Sequence, residues 1–216
     1  MKILEGPFKR PKLIKLLRLK AKDYLFMHRL QKRIFDLHIA LCAVFLLSLP
    51  ILFVGILVKM TSSGPTLYWS DRVGRNNRLF KMPKFRSMRI DTPAVATHLL
   101  SNPEQWLTPI GSFLRRSSLD ELPQLWSIIN GDMSFVGPRP ALFNQGDLIA
   151  LRTDKGVHEL LPGLTGWAQV NGRDEISIPQ KVQLDAEYLK MQSFVFDVKI
   201  LWMTTLKVFY RDGVSH

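Results

Sequence analysis

Residues 39–58 read IALCAVFLLSLPILFVGILV, twenty positions without a charged side chain. At the helical rise per residue, such a run is about the length needed to cross the hydrocarbon of a bilayer. It starts far from the N-terminus, exceeds a signal-peptide core and is followed by no small-residue cleavage pattern, so a secretory leader fits it poorly. Near its middle stands Pro50, which lacks a backbone donor and obstructs the carbonyl four residues earlier. A helix through it should bend, with the Ser48 hydroxyl placed to satisfy a freed carbonyl.

The flanks of this run carry the same charge. Before it stand Arg29, Lys32 and Arg33; after it come Lys59, Arg72, Arg75, Arg78, Lys81, Lys84, Arg86 and Arg89, with Asp71 the only acid among them. Lys and Arg mark cytoplasmic flanks, so both sides read as cytoplasmic. A helix that enters, breaks between Ser48 and Pro50 and returns to the same face satisfies both observations. A kinked transmembrane span is the alternative, because membrane helices tolerate proline.

The charge excess has a location. The chain carries 30 Lys and Arg against 18 Asp and Glu, a net +12, and eleven of those cations lie within residues 1–33 against Glu5 and Asp23. With Leu13, Ile14, Leu16, Leu17 and Leu19 among them, this extension has the composition of a basic amphipathic helix on anionic lipid. Cys42 is the only cysteine, which excludes an intrachain disulfide framework or cysteine zinc site. The five histidines have no ligand spacing.

Beyond Lys59 the pattern is that of a compact mixed domain. Thr66–Trp69 and Leu79–Met88 read as extended, and Asp91–Pro109, with three prolines, as irregular. Leu122, Leu125, Trp126 and Ile129 predict a helix over 118–129 that ends at Asn130-Gly131. Further helices are expected over 179–191 and 194–210, the latter with Trp202, Phe209 and Tyr210 as bilayer-interface or core aromatics.

Dinucleotide, Walker, zincin and hydrolase-elbow motifs are absent. What remains is a polar series: Lys84-Phe85-Arg86, Arg115 to Gln124, Gly131 to Pro140 and Pro162 to Arg173. Within it, Asp120-Glu121 has two readings. Ser118 with Glu121 three residues on matches a capping box, and acids suit a helix's first turn. Pro123 instead favours a helix starting there, which leaves both carboxylates outside its mouth, able to bind Mg²⁺ or to attack phosphorus. Arg115, Arg116, Arg139 and Arg173 are either solvated surface or phosphate contacts. Arg139 between two prolines and Arg173 after Asn171-Gly172 sit on stiff turns suited to bidentate phosphate binding.

Read together, Lys32–Asp36 (KRIFD), Arg72-Val73-Gly74, Lys84–Met88 (KFRSM), SLDELPQLW, GDMSFVGPRP and PGLTGWAQVNGR resemble, in order, the bacterial sugar transferase family. These are monotopic polyprenyl-phosphate phosphoglycosyl transferases, here in the small catalytic-core form. The resemblance implies a mixed, helix-rich α/β fold with a re-entrant membrane helix broken at Ser48 and Pro50. It implies a cytoplasmic catalytic domain with membrane-associated amphipathic helices, at the inner face of the bacterial inner membrane. The corresponding division is a basic extension over 1–31, the membrane segment over 32–60 and the catalytic domain over 61–216.

For function, the resemblance implies transfer of a sugar 1-phosphate from a UDP-sugar to undecaprenyl or another polyprenyl phosphate, releasing UMP, as the first membrane step of a glycoconjugate. It makes Asp120 and Glu121 the catalytic dyad and the ligands of Mg²⁺. Asp120 is the expected nucleophile on the β-phosphorus, with Lys84, Arg86, Arg115, Arg139 and Arg173 as substrate and phosphate contacts. The implied partners are UDP-sugar, polyprenyl phosphate and anionic lipid, with self-association left open. Nucleic acid is not expected, since no RNP-like or zinc-finger spacing occurs. Two positions depart from the family: Ser48-Leu49-Pro50 replaces an adjacent Ser-Pro, and Leu161 stands where many members carry Arg.

Overall fold

The computed structural model describes residues 11–93, 100, 102–172 and 176–210, with side chains described for Met27 and, within that set, from residue 29 to 208. Helix α1 spans Pro11–Leu46 and α2 spans Ser48–Thr61. Leu47 between them has φ −97° and ψ 8°, and the helices bend there by 63°. The bend therefore precedes Pro50 rather than falling on it. Pro50 is the third residue of α2, where its missing N–H has no intrahelical acceptor to lose. In an uninterrupted helix its ring would meet the Leu46 carbonyl, and the break at Leu47 removes that conflict. Ser48 Oγ donates to the Phe45 carbonyl at 2.9 Å.

Among the described residues no single helix is long and apolar enough to cross a membrane, whereas 29–46 and 48–61 meet that test as a bent pair. The boundary drawn between residues 31 and 32 falls inside α1, so the described part of the basic extension continues into the first helix of the bent pair. Residues 1–10 and the side chains expected to form the amphipathic face, Leu13 to Leu19, lie outside the described set.

Strands β1 (Leu67–Val73) and β2 (Leu79–Phe85) form an antiparallel hairpin with Leu67 opposite Phe85 and Val73 opposite Leu79. Its turn uses Asn76 and Asn77 at φ 55° and 59°, a left-handed conformation that asparagine tolerates. Helices α3 (Gly111–Arg116) and α4 (Leu125–Asn130) follow, then β3 (Ser134–Val136), β4 (Ala141–Leu142), α5 (Gly146–Asp154) and β5 (Gly163–Thr165). The chain continues through α6 (Trp167–Val170), α7 (Ile178–Met191) and α8 (Phe194–Tyr210). Strand β4 joins the far edge of β1, and β3 pairs in parallel with β5. The fold is thus mixed and helix-rich, with two small sheets.

The bent pair α1–α2 is fastened to this domain through both helices. Ala40 of α1 lies in the core with Ile128, Met133, Tyr188 and Ile200. The charged residues of Lys32–Asp36 act as pins. Lys32 pairs with Asp197, whose other oxygen accepts from Tyr188 Oη at 2.7 Å. Arg33 donates to the Ile128 and Ile129 carbonyls in the last turn of α4, the first of which also accepts from the Gly131 amide at 3.1 Å. Asp36 Oδ1 accepts from the Phe135 amide at 3.2 Å. On the second limb, Val54 and Val58 pack on Phe85 and Leu114, with Leu119 and Leu122 alongside. At the tip, by contrast, Phe45 is 80% and Leu49 76% exposed, an uncovered apolar end of the kind that marks a membrane or partner contact.

Candidate active site

The expected helix over 118–129 divides in two. Leu119–Gln124 is a 3-10 turn, and α4 begins only past Pro123, whose ring disfavours the α conformation in the residue before it. Gly131, at φ 90°, ends α4 as expected. The capping box at Ser118 does not form: Ser118 is left-handed at φ 56°, and no side-chain cap bond is present. A capping box is found instead at the start of α7, between Ser177 and Gln180. Glu121 is therefore released from the structural role that its spacing suggested, and its carboxylate turns to two cations.

Lys84 Nζ donates to Glu121 Oε1 at 2.7 Å, and Arg139 Nη2 donates to the same oxygen at 3.2 Å. Asp120 beside it is 7% exposed. Burial pushes its carboxyl above the usual range, and Glu121 adds to the rise; Lys84, Arg115 and Arg139 oppose it. A desolvated carboxylate whose charge is only partly offset by three cations is the electrostatic pattern expected of a reactive or ligand-binding group.

Strand periodicity aims Lys84. In β2, Lys84 and Phe85 point to opposite faces, so Phe85 enters the core beneath α2 while Lys84 reaches the dyad. Arg139 is aimed by its backbone. Its own carbonyl accepts from Arg152 Nη1 at 2.8 Å, and that of Pro140 accepts from Arg72 Nη1 at 3.2 Å. Arg152 is held in turn by a buried pair with Asp185, Nη2 to Oδ2 2.7 Å.

The turn carrying Arg139 sits against β5 with no space for side chains. A Cβ on Gly163 would lie 2.1 Å from the Gly137 amide nitrogen, and one on Gly166 would lie 2.1 Å from the Gly137 carbonyl oxygen. Gly137 N donates to Thr165 O and Gly163 N to Pro138 O, each at 2.9 Å. The glycines of GPRP and PGLTG are thus required by backbone contact.

Of the expected site residues, the structure brings together Asp120, Glu121, Lys84, Arg115 and Arg139. Arg86 takes different partners from the Lys84 cluster. It is buried at the end of α2, and its Nη2 donates to Ser62 O at 2.9 Å and to Ser62 Oγ at 2.7 Å. Strand β2 ends at Phe85, so the alternation that would have returned Arg86 to the face of Lys84 stops one residue early. Arg173 lies outside the described residues. Ser48 and Pro50 stand in the first turn of α2, just past the bend at Leu47, and are far in sequence from this cluster.

Arg72 is the member that sequence reasoning missed. It is half-buried, its Nε donates to Ser70 Oγ at 3.0 Å, and desolvation together with Arg139 lowers its pKa to about 10, with Glu121 opposing. The signal was the period of two: Ser70 and Arg72 share a face of β1, and Ser70 is buried. Asp120 and Glu121 supply adjacent hard-oxygen donors. Among the described residues, no group of three or more His, Cys, Asp or Glu stands together as a metal cage.

Residues 27–211 match the family model described as bacterial sugar transferase. The chain is 40% identical over 186 residues to the "Uncharacterized sugar transferase EpsL" of Bacillus subtilis (strain 168), covering 85% of this chain and 90% of that protein. It is 38% identical over 198 residues to the "Undecaprenyl-phosphate glucose phosphotransferase" of Komagataeibacter xylinus. It is 37% identical over 195 residues to the "UDP-glucose:undecaprenyl-phosphate glucose-1-phosphate transferase" of Escherichia coli (strain K12). Those two alignments cover 85% and 87% of this chain but 37% and 42% of the relatives, so the chain spans less than half of their length. With the family model matching most of its residues and a relative of similar size aligned nearly end to end, the chain belongs to the bacterial sugar transferase family.

Proposed function

We propose that this protein transfers a sugar 1-phosphate from a UDP-sugar to polyprenyl phosphate and releases UMP, at the cytoplasmic face of the bacterial inner membrane. The observation that carries this reading is the Asp120-Glu121 pair. Asp120 is buried and Glu121 half-buried among Lys84, Arg115, Arg139 and Arg72, on a turn whose Leu119 and Leu122 pack against the apolar helix pair. Such a site joins a carboxylate nucleophile, cations for a diphosphate and proximity to a lipid.

In the first step an Asp120 carboxylate oxygen attacks the β-phosphorus, and the bond from that phosphorus to the bridging oxygen breaks. UMP departs with the oxygen and the electron pair, leaving an acyl phosphate that carries the sugar. In the second step a phosphate oxygen of the polyprenyl phosphate attacks the same phosphorus. The acyl-phosphate bond breaks and the carboxylate is restored. Arg139 and Lys84, fixed on Glu121, present their charge where negative charge gathers as UMP leaves. Two adjacent carboxylates completed by water and phosphate oxygens suit Mg²⁺, which when bound supplies Lewis-acid stabilisation of phosphoryl oxygens.

The test is UMP release from a panel of UDP-sugars with undecaprenyl phosphate and Mg²⁺. At least one donor should yield UMP and lipid diphosphate sugar in equal amounts, and a protein inert toward every donor, with and without Mg²⁺, would sink the proposal. The hairpin is proposed to be re-entrant, from its cationic flanks, its bend and its exposed apolar tip. Leu30→Cys and Ser63→Cys, each made in a Cys42→Ser background, should both resist an impermeant thiol reagent in intact spheroplasts. Labelling at one of the two alone would establish a span.

A further inference from the structure

Lys84 and Arg139 each donate a hydrogen bond to Glu121, and the reaction proposed above uses both. Arg72 is held differently. Its Nε donates to Ser70 Oγ at 3.0 Å and its Nη1 to the Pro140 carbonyl at 3.2 Å, so the guanidinium is fixed by two neutral acceptors. Among the described residues its Nη2 has no acceptor, and on this half-buried side chain that nitrogen reaches solvent. The result is a clamped cation with one open edge. A partly desolvated charge without a counter-ion is costly, and here Arg139 adds like charge that Glu121 offsets only in part. The charges that act on Asp120 are Lys84, Glu121, Arg115 and Arg139, whereas Arg72 responds to Arg139 and Glu121. Arg72 therefore stands one group further from the nucleophile, with Arg139 as the link.

We infer that Arg72 holds the phosphate lying across the reacting phosphorus from Asp120: the UMP phosphate of the donor in the first step, and the phosphate of the polyprenyl acceptor in the second. The inference rests on the reaction proposed above. Asp120 attacks in line with the departing bridging oxygen, and the acceptor oxygen must then attack in line with the Asp120 bond as that bond breaks. Both oxygens therefore pass through one position on the far side of the phosphorus. The phosphates that carry them occupy the same place in turn, so one clamp serves both. A guanidinium suits that place, because the N–H groups of Nη2 bind phosphate oxygens irrespective of what the phosphate is esterified to. The like charge of Arg139 beside it is then balanced by the incoming anion rather than by the protein.

The test is binding of UMP, uridine and undecaprenyl phosphate to the full-length protein in detergent micelles, beside steady-state kinetics. Wild type should bind UMP about tenfold or more tightly than uridine, and UMP and undecaprenyl phosphate should exclude one another. Arg72→Gln should bind uridine as wild type does, which also reports that it is folded, and should bind UMP about tenfold more weakly. In turnover its KM should rise for the UDP-sugar and for undecaprenyl phosphate alike. Arg72→Lys should lie between the two, because charge returns without the planar fork. Equal wild-type affinity for UMP and uridine overturns the inference without recourse to any variant, as does simultaneous binding of UMP and undecaprenyl phosphate. Arg72→Gln with wild-type UMP affinity overturns it too, and a fall confined to kcat would then mark Arg72 as a support for the turn that carries Arg139. In each of these cases a wild type that releases UMP from UDP-sugars leaves the reaction standing. A wild type that neither binds UMP nor releases it overturns both.

Discussion

Asp120→Asn is expected to abolish UMP release while leaving a folded protein, with turnover falling about a thousandfold or more because an amide cannot form the acyl phosphate. The stability of this variant separates a catalytic role from a structural one. The Asp120 carboxyl is raised above its ordinary value of 3.8, chiefly by burial. Between that ordinary value and the raised one, the folded state holds the proton more tightly than the unfolded chain. Stability conferred by Asp120 therefore declines as pH rises through this window, and above it the buried charge remains a cost. Asparagine removes the charge. At neutral pH Asp120→Asn should melt at or above the wild-type temperature, and the difference should shrink as the pH is lowered through the window. A helix-capping role predicts the reverse, a loss of about 1 kcal/mol with most activity retained. Without acceptor lipid, wild type incubated with the donor should add one sugar phosphate to the peptide carrying Asp120 and release at most one equivalent of UMP. Substantial turnover by Asp120→Asn would defeat the nucleophile assignment, and an active wild type that never shows the adduct on rapid quenching would indicate direct transfer.

Arg139→Ala should lower kcat/KM by about 10²–10³, the size of effect seen when a donor aimed at developing charge is removed. Folding should change little, by about 1 kcal/mol or less, because Glu121 keeps Lys84 and the Arg139 end of the pair is partly open to solvent, which screens it. The turn itself should persist, since Arg152 and Arg72 hold the carbonyls of residues 139 and 140 rather than the Arg139 side chain. Arg139→Lys should recover only part of the loss, because an ammonium cannot reproduce the planar fork. The check is steady-state kinetics beside thermal melting; a melting point that falls in proportion to activity would mark Arg139 as structural. Loss confined to KM would mean that the contact is made equally before and during the reaction.

The contrast between Lys84 and Arg86 shows where sequence reading stopped. The two stand two residues apart, and a strand running to Met88 would put both on one face. Only the strand's end at Phe85 sends Arg86 to Ser62 and leaves Lys84 with Glu121. Strand ends are set by where the partner strand ceases to pair, here just past Leu67 with a last bond from the Arg86 amide to the Thr66 carbonyl, and that is not written in the residues around Lys84. Arg72 escaped notice for a related reason, since its importance comes from the Pro138–Pro140 turn 68 residues away from it.

Features governed by neighbours in the chain were legible directly. Pro50 obliges a break because its ring conflicts with a carbonyl four residues earlier, and the helix does stop before it. Gly131 closes α4 because it lacks the Cβ that opposes φ 90°. The dyad was legible as a pair of acids but not as a site, because capping a helix and facing a ligand place the same residues at the same spacing. Tertiary structure decided that ambiguity. A 3-10 turn displaced the cap, and two strands and a proline-bounded turn brought Lys84, Arg72 and Arg139 to the carboxylates. Charges this far apart in sequence become neighbours only when the backbone between them has folded, and their effect on Asp120 appears only once burial has removed the water that would screen them.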